Sequence, residues 1–148
     1  MIIIGYQGIG KSTLAKDSLK YIDLESGNFW INGERDEQWY KPYCNIANHL
    51  SAQGYTVFTS SHKEVREELK NSNEIVKIAF PSLELKTDWL IRLTNRYNES
   101  MLEKDYKALI NASLYYEDNI NDLMNEPFDK IVINNIDYNL RELIEKND

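Results

Sequence analysis

Short apolar runs alternate along this chain with longer amphipathic stretches. Met1-Ile2-Ile3-Ile4 is a continuous β-branched run, the pattern of a strand buried on both faces of a parallel sheet. Comparable runs recur at residues 21–24, 55–59, 75–80 and 130–134. Between them the apolar positions follow a helical period. Residues 11–20 place Leu14, Ala15 and Leu19 for one buried face. Residues 38–53 repeat Trp39, Tyr43, Ile46, Ala47 and Leu50, and Gly54 is a stop signal. Ser60-Ser61-His62 leads into a charged helix that reaches about Lys70. Residues 84–97 carry Leu85, Trp89, Leu93 and Tyr97 at spacing four. Ser100-Met101-Leu102-Glu103 reads as a capping box that opens a helix to about Asn125. Pro127 separates that helix from the last strand, and a short helix follows Asp137. Strand and helix in alternation predict an α/β fold, a parallel sheet covered on both faces. No repeat or linker divides residues 1–148, so a single domain is expected.

The turn after the first strand reads Gly5-Tyr6-Gln7-Gly8-Ile9-Gly10-Lys11-Ser12, the spacing G-x-x-x-x-G-K-[ST]. Glycines let the backbone wrap an anion without a side chain in the way. The N–H groups of Gly5, Gly8, Ile9, Gly10, Lys11, Ser12 and Thr13 can then point at phosphates, at a helix N-terminus whose dipole favours negative charge. Lys11 can reach the β- and γ-phosphates, and the Ser12 hydroxyl can coordinate Mg²⁺. The expected cofactors are ATP and Mg²⁺.

Composition narrows the partners. The chain is 42% hydrophobic over 148 residues, enough for a proper core. Its net charge of −7 argues against a large nucleic-acid surface, though a local basic cleft stays open. The lone cysteine, Cys44, forbids an internal disulfide and reads as a small packing residue in a reducing, cytoplasmic compartment. No apolar stretch is long enough to span a membrane, and no targeting segment precedes the first strand, so no membrane partner is expected.

Three places bear on the chemistry beyond the loop. Asp23 and Glu25 follow the second strand, at the carboxyl edge where α/β sheets bind ligands. A carboxylate there can take a proton from an acceptor hydroxyl or hold a Mg²⁺-bound water, so Asp23 is a candidate base and metal ligand. The third strand ends in Ser60-Ser61-His62 with no aspartate, which weakens a motor, GTPase or helicase reading. His62 and Arg66 are candidates for contact with a substrate; a surface histidine at a helix start is the plainer alternative. Arg92 and Arg96 lie four apart on one helix face, as two cations over a moving γ-phosphoryl group would, or as an ordinary solvated face would. The segment 28–37 and its flank hold Phe29, Trp30, Arg35 and Tyr40, where rings could stack on a base or equally pack as the loop's core, and Arg35 could grip an acceptor phosphate. Trp39 and Tyr43 read as core.

With these residues the chain resembles the small P-loop kinases: the nucleoside monophosphate kinases, the shikimate and gluconate kinases, and the kinase domain of polynucleotide kinases. The resemblance covers nearly the whole chain in element order, and residues 5–12 carry its sharpest motif. It implies a three-layer α/β/α P-loop NTPase fold with a five-stranded parallel sheet in the order 2-3-1-4-5. By the same resemblance Asp23 and Glu25 look like the strand-two acids of alcohol-phosphorylating members. Residues 89–97, within 84–100, look like the arginine-bearing lid helix. Asn134 and Asn135 stand where such kinases hold adenine. The function implied is an ATP- and Mg²⁺-dependent phosphotransferase whose small-molecule acceptor is a nucleotide or nucleoside. A 5′-hydroxyl polynucleotide end, a small sugar or a cyclic acid is the alternative acceptor. A slowly hydrolysing regulatory switch is the alternative class.

Overall fold

Ile2, Ile3 and Ile4 have no solvent exposure, because strands lie on both sides of them and helices cover both faces. They form β1 (Ile2–Gly5), the central strand of a five-stranded sheet. The computed structural model describes residues Met1–Asp148. In chain order follow α1 (Lys11–Asp17), β2 (Tyr21–Asp23), α2 (Tyr40–Ala52), β3 (Thr56–Thr59), α3 (Lys63–Leu69), β4 (Val76–Pro81), α4 (Lys86–Ser100), α5 (Glu103–Met124), β5 (Asp129–Ile133) and α6 (Leu140–Lys146). All pairings are parallel and the order is β2-β3-β1-β4-β5, as expected. Right-handed crossovers put α1 on one face and α2, α3 and α5 on the other. The core is continuous through both layers, from Val57, Phe58 and Ile78 in the sheet to Trp89, Tyr116 and Ile120 in the helices. No helix is long and apolar enough to cross a membrane.

Several local expectations change. α1 stops at Asp17 because Ser18 is extended, which turns Leu19 into solvent at 93% exposure instead of onto a buried face. Ile46 is exposed on α2; the neighbouring Cys44 takes the buried position, its thiol directed at the Val65 carbonyl. α4 begins two residues after Glu84 and runs to Ser100, where Met101 enters the left-handed region at φ 54° and ends it. Ser100 is therefore the last residue of α4 and not the cap of α5. Its hydroxyl bonds the buried Asp105 carboxylate and accepts the Leu102 N–H. The 28–37 segment contains a short turn (Ser26–Phe29) and a tight hairpin in which Ile31 and Glu34 pair across Asn32 and Gly33.

The five strand ends converge on one edge, and one side chain ties two of them together. The Tyr43 hydroxyl donates to the Leu24 carbonyl (2.6 Å) and accepts the Ser60 N–H (2.8 Å). It thereby fixes the residues just past β2 and β3, next to Asp23 and His62. Burial drives the Tyr43 phenol far above its ordinary pKa, so it stays a donor.

Candidate functional site

The loop between β1 and α1 shows a one-sided pattern of hydrogen bonding. Its carbonyls are held. Lys11 Nζ donates to Gly5 (2.8 Å), Trp89 Nε1 to Gln7 (2.9 Å), Arg92 Nε to Gly8 (2.7 Å), and the Tyr138 hydroxyl to Ile9 (2.6 Å). Its N–H groups are not. From Gln7 to Thr13 no backbone N–H donates to any protein atom. A run of bare amides at a helix N-terminus is an anion cradle. Two glycines shape it. Gly8 sits at φ +87°, and a Cβ there would stand 2.9 Å from Leu93 Cδ2 and 3.2 Å from Trp89 Nε1. Gly10 sits at φ +105°. The loop thus depends on glycine for conformation and, at Gly8, for the close approach of α4.

Lys11 reaches across the mouth of this loop. Burial lowers its pKa, and the nearby Asp23 and Glu25 carboxylates oppose that shift. Asp23 is half-buried; burial raises its pKa above the ordinary carboxylate value, the Lys11 charge opposes this, and the Glu25 carboxylate adds to it by repulsion and by a hydrogen bond. Lys104, at the start of α5, lies 3.9 Å from Glu25 and closes the same corner. The structure thus brings Lys11, Asp23 and Glu25 together. Two adjoining carboxylates beside the Ser12 turn are the hard oxygen donors that Mg²⁺ takes along with phosphate oxygens and waters. The site fits the ion: a divalent charge there would offset the repulsion between the Asp23 and Glu25 carboxylates. No group of three or more His, Cys, Asp or Glu residues gathers elsewhere as an all-protein metal cage.

Past β3, His62 Nδ1 lies 2.7 Å from Ser60 Oγ, and the ring packs edge-on against Trp39. Burial lowers the His62 pKa, with the Arg35 charge second. Arg66 lines a cavity beside Lys11 and is also held by protein groups. Its Nε donates to the Ser61 carbonyl and its Nη1 pairs with Glu126 at 2.8 Å, both side chains about nine-tenths buried.

Arg92 and Arg96 part company. Arg92 lies under the loop at Gly8 with its guanidinium 5.2 Å from the Trp89 ring and 5.3 Å from the Tyr138 ring. Arg96 pairs with the buried Asp105 of α5 at 3.0 Å while staying close enough to Lys11 to lower its pKa. The root of the expected lid helix, Trp89 and Leu93, is fully buried against the loop. Arg35 stacks over Trp39 (3.9 Å) and Trp30 (4.8 Å). Tyr40 opens α2, half-buried, one residue after the Trp39 that joins Phe29 and Tyr43 in an aromatic cluster. Asn134 and Asn135 are exposed just past β5, in the segment that Tyr138 ties to the loop.

Trp89, Tyr138, Tyr43 and Gln7 act on this site without a sequence signal of their own. Trp89 and Tyr43 look like core residues at helical spacing, and their polar atoms find the site only through long-range packing. No protein-family model matches the chain, and no curated protein matches it. The reading that follows rests on the site itself.

Proposed function

We propose that the protein is a Mg²⁺-dependent phosphotransferase that uses ATP as donor, a small P-loop kinase. The observation that carries the proposal is the turn after β1, where the Gln7, Gly8 and Ile9 carbonyls are braced from outside and the N–H groups of residues 7–13 are bare. Such donors cost no reorganisation when a triphosphate arrives, and preorganised donors are what stabilise charge on a transferring phosphoryl group. Lys11 leaves the Gly5 carbonyl to bind β- and γ-oxygens as a point charge. Ser12 and Asp23 would hold Mg²⁺, which bridges phosphate oxygens and neutralises their charge. Asp23 sits within the charge field of Lys11 and is the candidate base for a hydroxyl acceptor. The absence of an acid after β3 and the cations held beside the loop favour transfer over a motor or switch cycle.

Titration calorimetry with MgATP, followed by an ADP-release assay with and without acceptors, tests the reading. Lys11→Ala is expected to keep the fold and lose about 10²–10³ in turnover, the usual worth of one such electrostatic group. Near-normal turnover in that variant would overturn the proposal. Hydrolysis indifferent to every acceptor would favour the switch instead.

A further inference from the structure

α5 is buried along one side only. Ala112, Tyr116, Ile120 and Leu123 turn inward, and α4 and β4 pack against the helix. Along its outer side Tyr106, Ile110 and Leu114 recur at spacing four and are 47%, 40% and 66% exposed. Residues four apart stand one above the other on a helix, so the three side chains form one row. A lone exposed apolar side chain is ordinary, whereas a continuous row is the pattern of a contact surface. The row widens at both ends. The Tyr97 ring of α4 lies 5.2 Å from the Tyr106 ring. At Tyr115 the helix bends out of regular geometry (φ −130°, ψ 18°), and that ring is half-exposed, next to Leu114 in the chain.

The pattern of this face names its occupant, because it is complementary to itself. Ile110 and Leu114 lie two residues to either side of Ala112, Lys107 and Glu117 five, and Tyr106 and Asp118 six. A second α5 laid antiparallel across a twofold axis at that level sets Ile110 against Leu114 and Lys107 against Glu117. It also sets the Tyr106 hydroxyl against the Asp118 carboxylate. Each contact is made twice, as an interface between identical surfaces requires. A partner of different sequence needs no such symmetry. The charges agree. Glu103 lies 3.2 Å from Lys107, and Glu117 lies 2.9 Å from Lys86 of α4. These four charges cancel on a chain whose net charge is −7, so two copies repel each other least here. Pairing joins Glu103 and Lys107 of one copy to Glu117 and Lys86 of the other in a network of alternating sign. Such a network contributes more than isolated exposed pairs.

We propose that the outer face of α5 is a homodimer interface, in which two copies of this chain pair antiparallel about a twofold axis at the level of Ala112, through Ile110, Leu114, Lys107 and Glu117. The surface is one helix face, so the dimer is a weak one, with a Kd of about 1–100 μM.

Sedimentation velocity of the intact chain over a dilution series is the test, and the expected result is a monomer–dimer equilibrium in that range. Leu114→Glu sets a carboxylate against Ile110 twice in each dimer and should raise Kd at least about tenfold. Lys107→Glu and Glu117→Lys each set like charges face to face and should raise it about threefold to tenfold. Mixed together, these two charge variants should pair with each other about as tightly as the native chain pairs with itself, because every facing pair is again of opposite sign. The double variant should recover for the same reason. All three positions are exposed, so thermal melts of dilute protein should be unchanged, which separates loss of pairing from loss of fold. A monomer at every concentration overturns the proposal, as does an open series of larger assemblies. A dimer indifferent to Leu114→Glu places the interface on another face and overturns it too. Charge variants that stay weakened when mixed exclude the antiparallel register and sink it equally.

Discussion

Around residues 5–12 the backbone and the arginines treat their donors in opposite ways. The Gly5, Gln7, Gly8 and Ile9 carbonyls are bonded and the N–H groups of residues 7–13 are bare, whereas Arg35, Arg66, Arg92 and Arg96 are all engaged by protein groups. Unbonded donors in an ordered turn support the proposed phosphate site. The cations have protein partners: Arg92 bonds the Gly8 carbonyl, Arg96 pairs with the buried Asp105, and Arg66 joins α3 to the turn before β5. The difference teaches that charge type and spacing name candidates, while the partner each one has taken decides its role.

The sharpest way to press on this contrast is Asp23, the acid with the least settled environment. Asp23→Asn should cost about 10²–10⁴ in kcat, the usual worth of a general base. The same change should stabilise the fold at neutral pH. Burial raises the folded-state pKa, so the folded protein holds this proton more readily than the unfolded chain does. The stability linked to Asp23 is thus complete below the ordinary carboxylate pKa and is lost as pH rises through the folded value. Thermal melts should show the variant ahead at pH 7 and the gap closing in acid. A variant less stable at pH 7 and more than a tenth as active would remove Asp23 from the site.

Arg92 divides the two arginine roles next. As a loop brace, Arg92→Ala should lose about 1.5–3 kcal/mol for a charge-assisted hydrogen bond, and Tm and ATP affinity should fall together. As a mobile transition-state cation it would instead lower kcat with ATP affinity intact. Denaturant melts and ATP titration on one sample separate the two.

Arg35→Ala should show the smallest effect. Its stacking on two rings at the surface is worth roughly 0.5–1 kcal/mol per ring, and the acceptor KM should move less than about twofold. A tenfold rise in KM would return Arg35 to the acceptor site.

These outcomes bear on how much could be read from residue order. The turn after β1 was legible because its physics is local: eight consecutive residues contain the glycines, the cation and the hydroxyl. The strands were legible for a similar reason, as short apolar runs in a strict alternation. Leu19 and Ile46 were not, since helical spacing cannot show where Ser18 becomes extended or which stripe of α2 meets α3. Asn32-Gly33 is a local signal for a two-residue turn, and a plain loop reading leaves it out. The partners of Arg92, Trp89 and Tyr138 lie on the far-off loop, so no window of sequence contains both ends of these bonds. The cavity beside Lys11 was illegible for the same reason. Its wall joins residues just past β1 and β3 to two asparagines on either side of a bend in α5.

The central claim is that the backbone amides of residues 7–13 bind the phosphates of a nucleoside triphosphate. The most direct measurement is amide NMR on isotope-labelled protein titrated with MgATP. Large downfield shifts and slowed exchange concentrated at residues 7–13, and absent in Lys11→Ala, are the predicted result. Binding of MgATP that leaves those seven amides unmoved and in free exchange would contradict it.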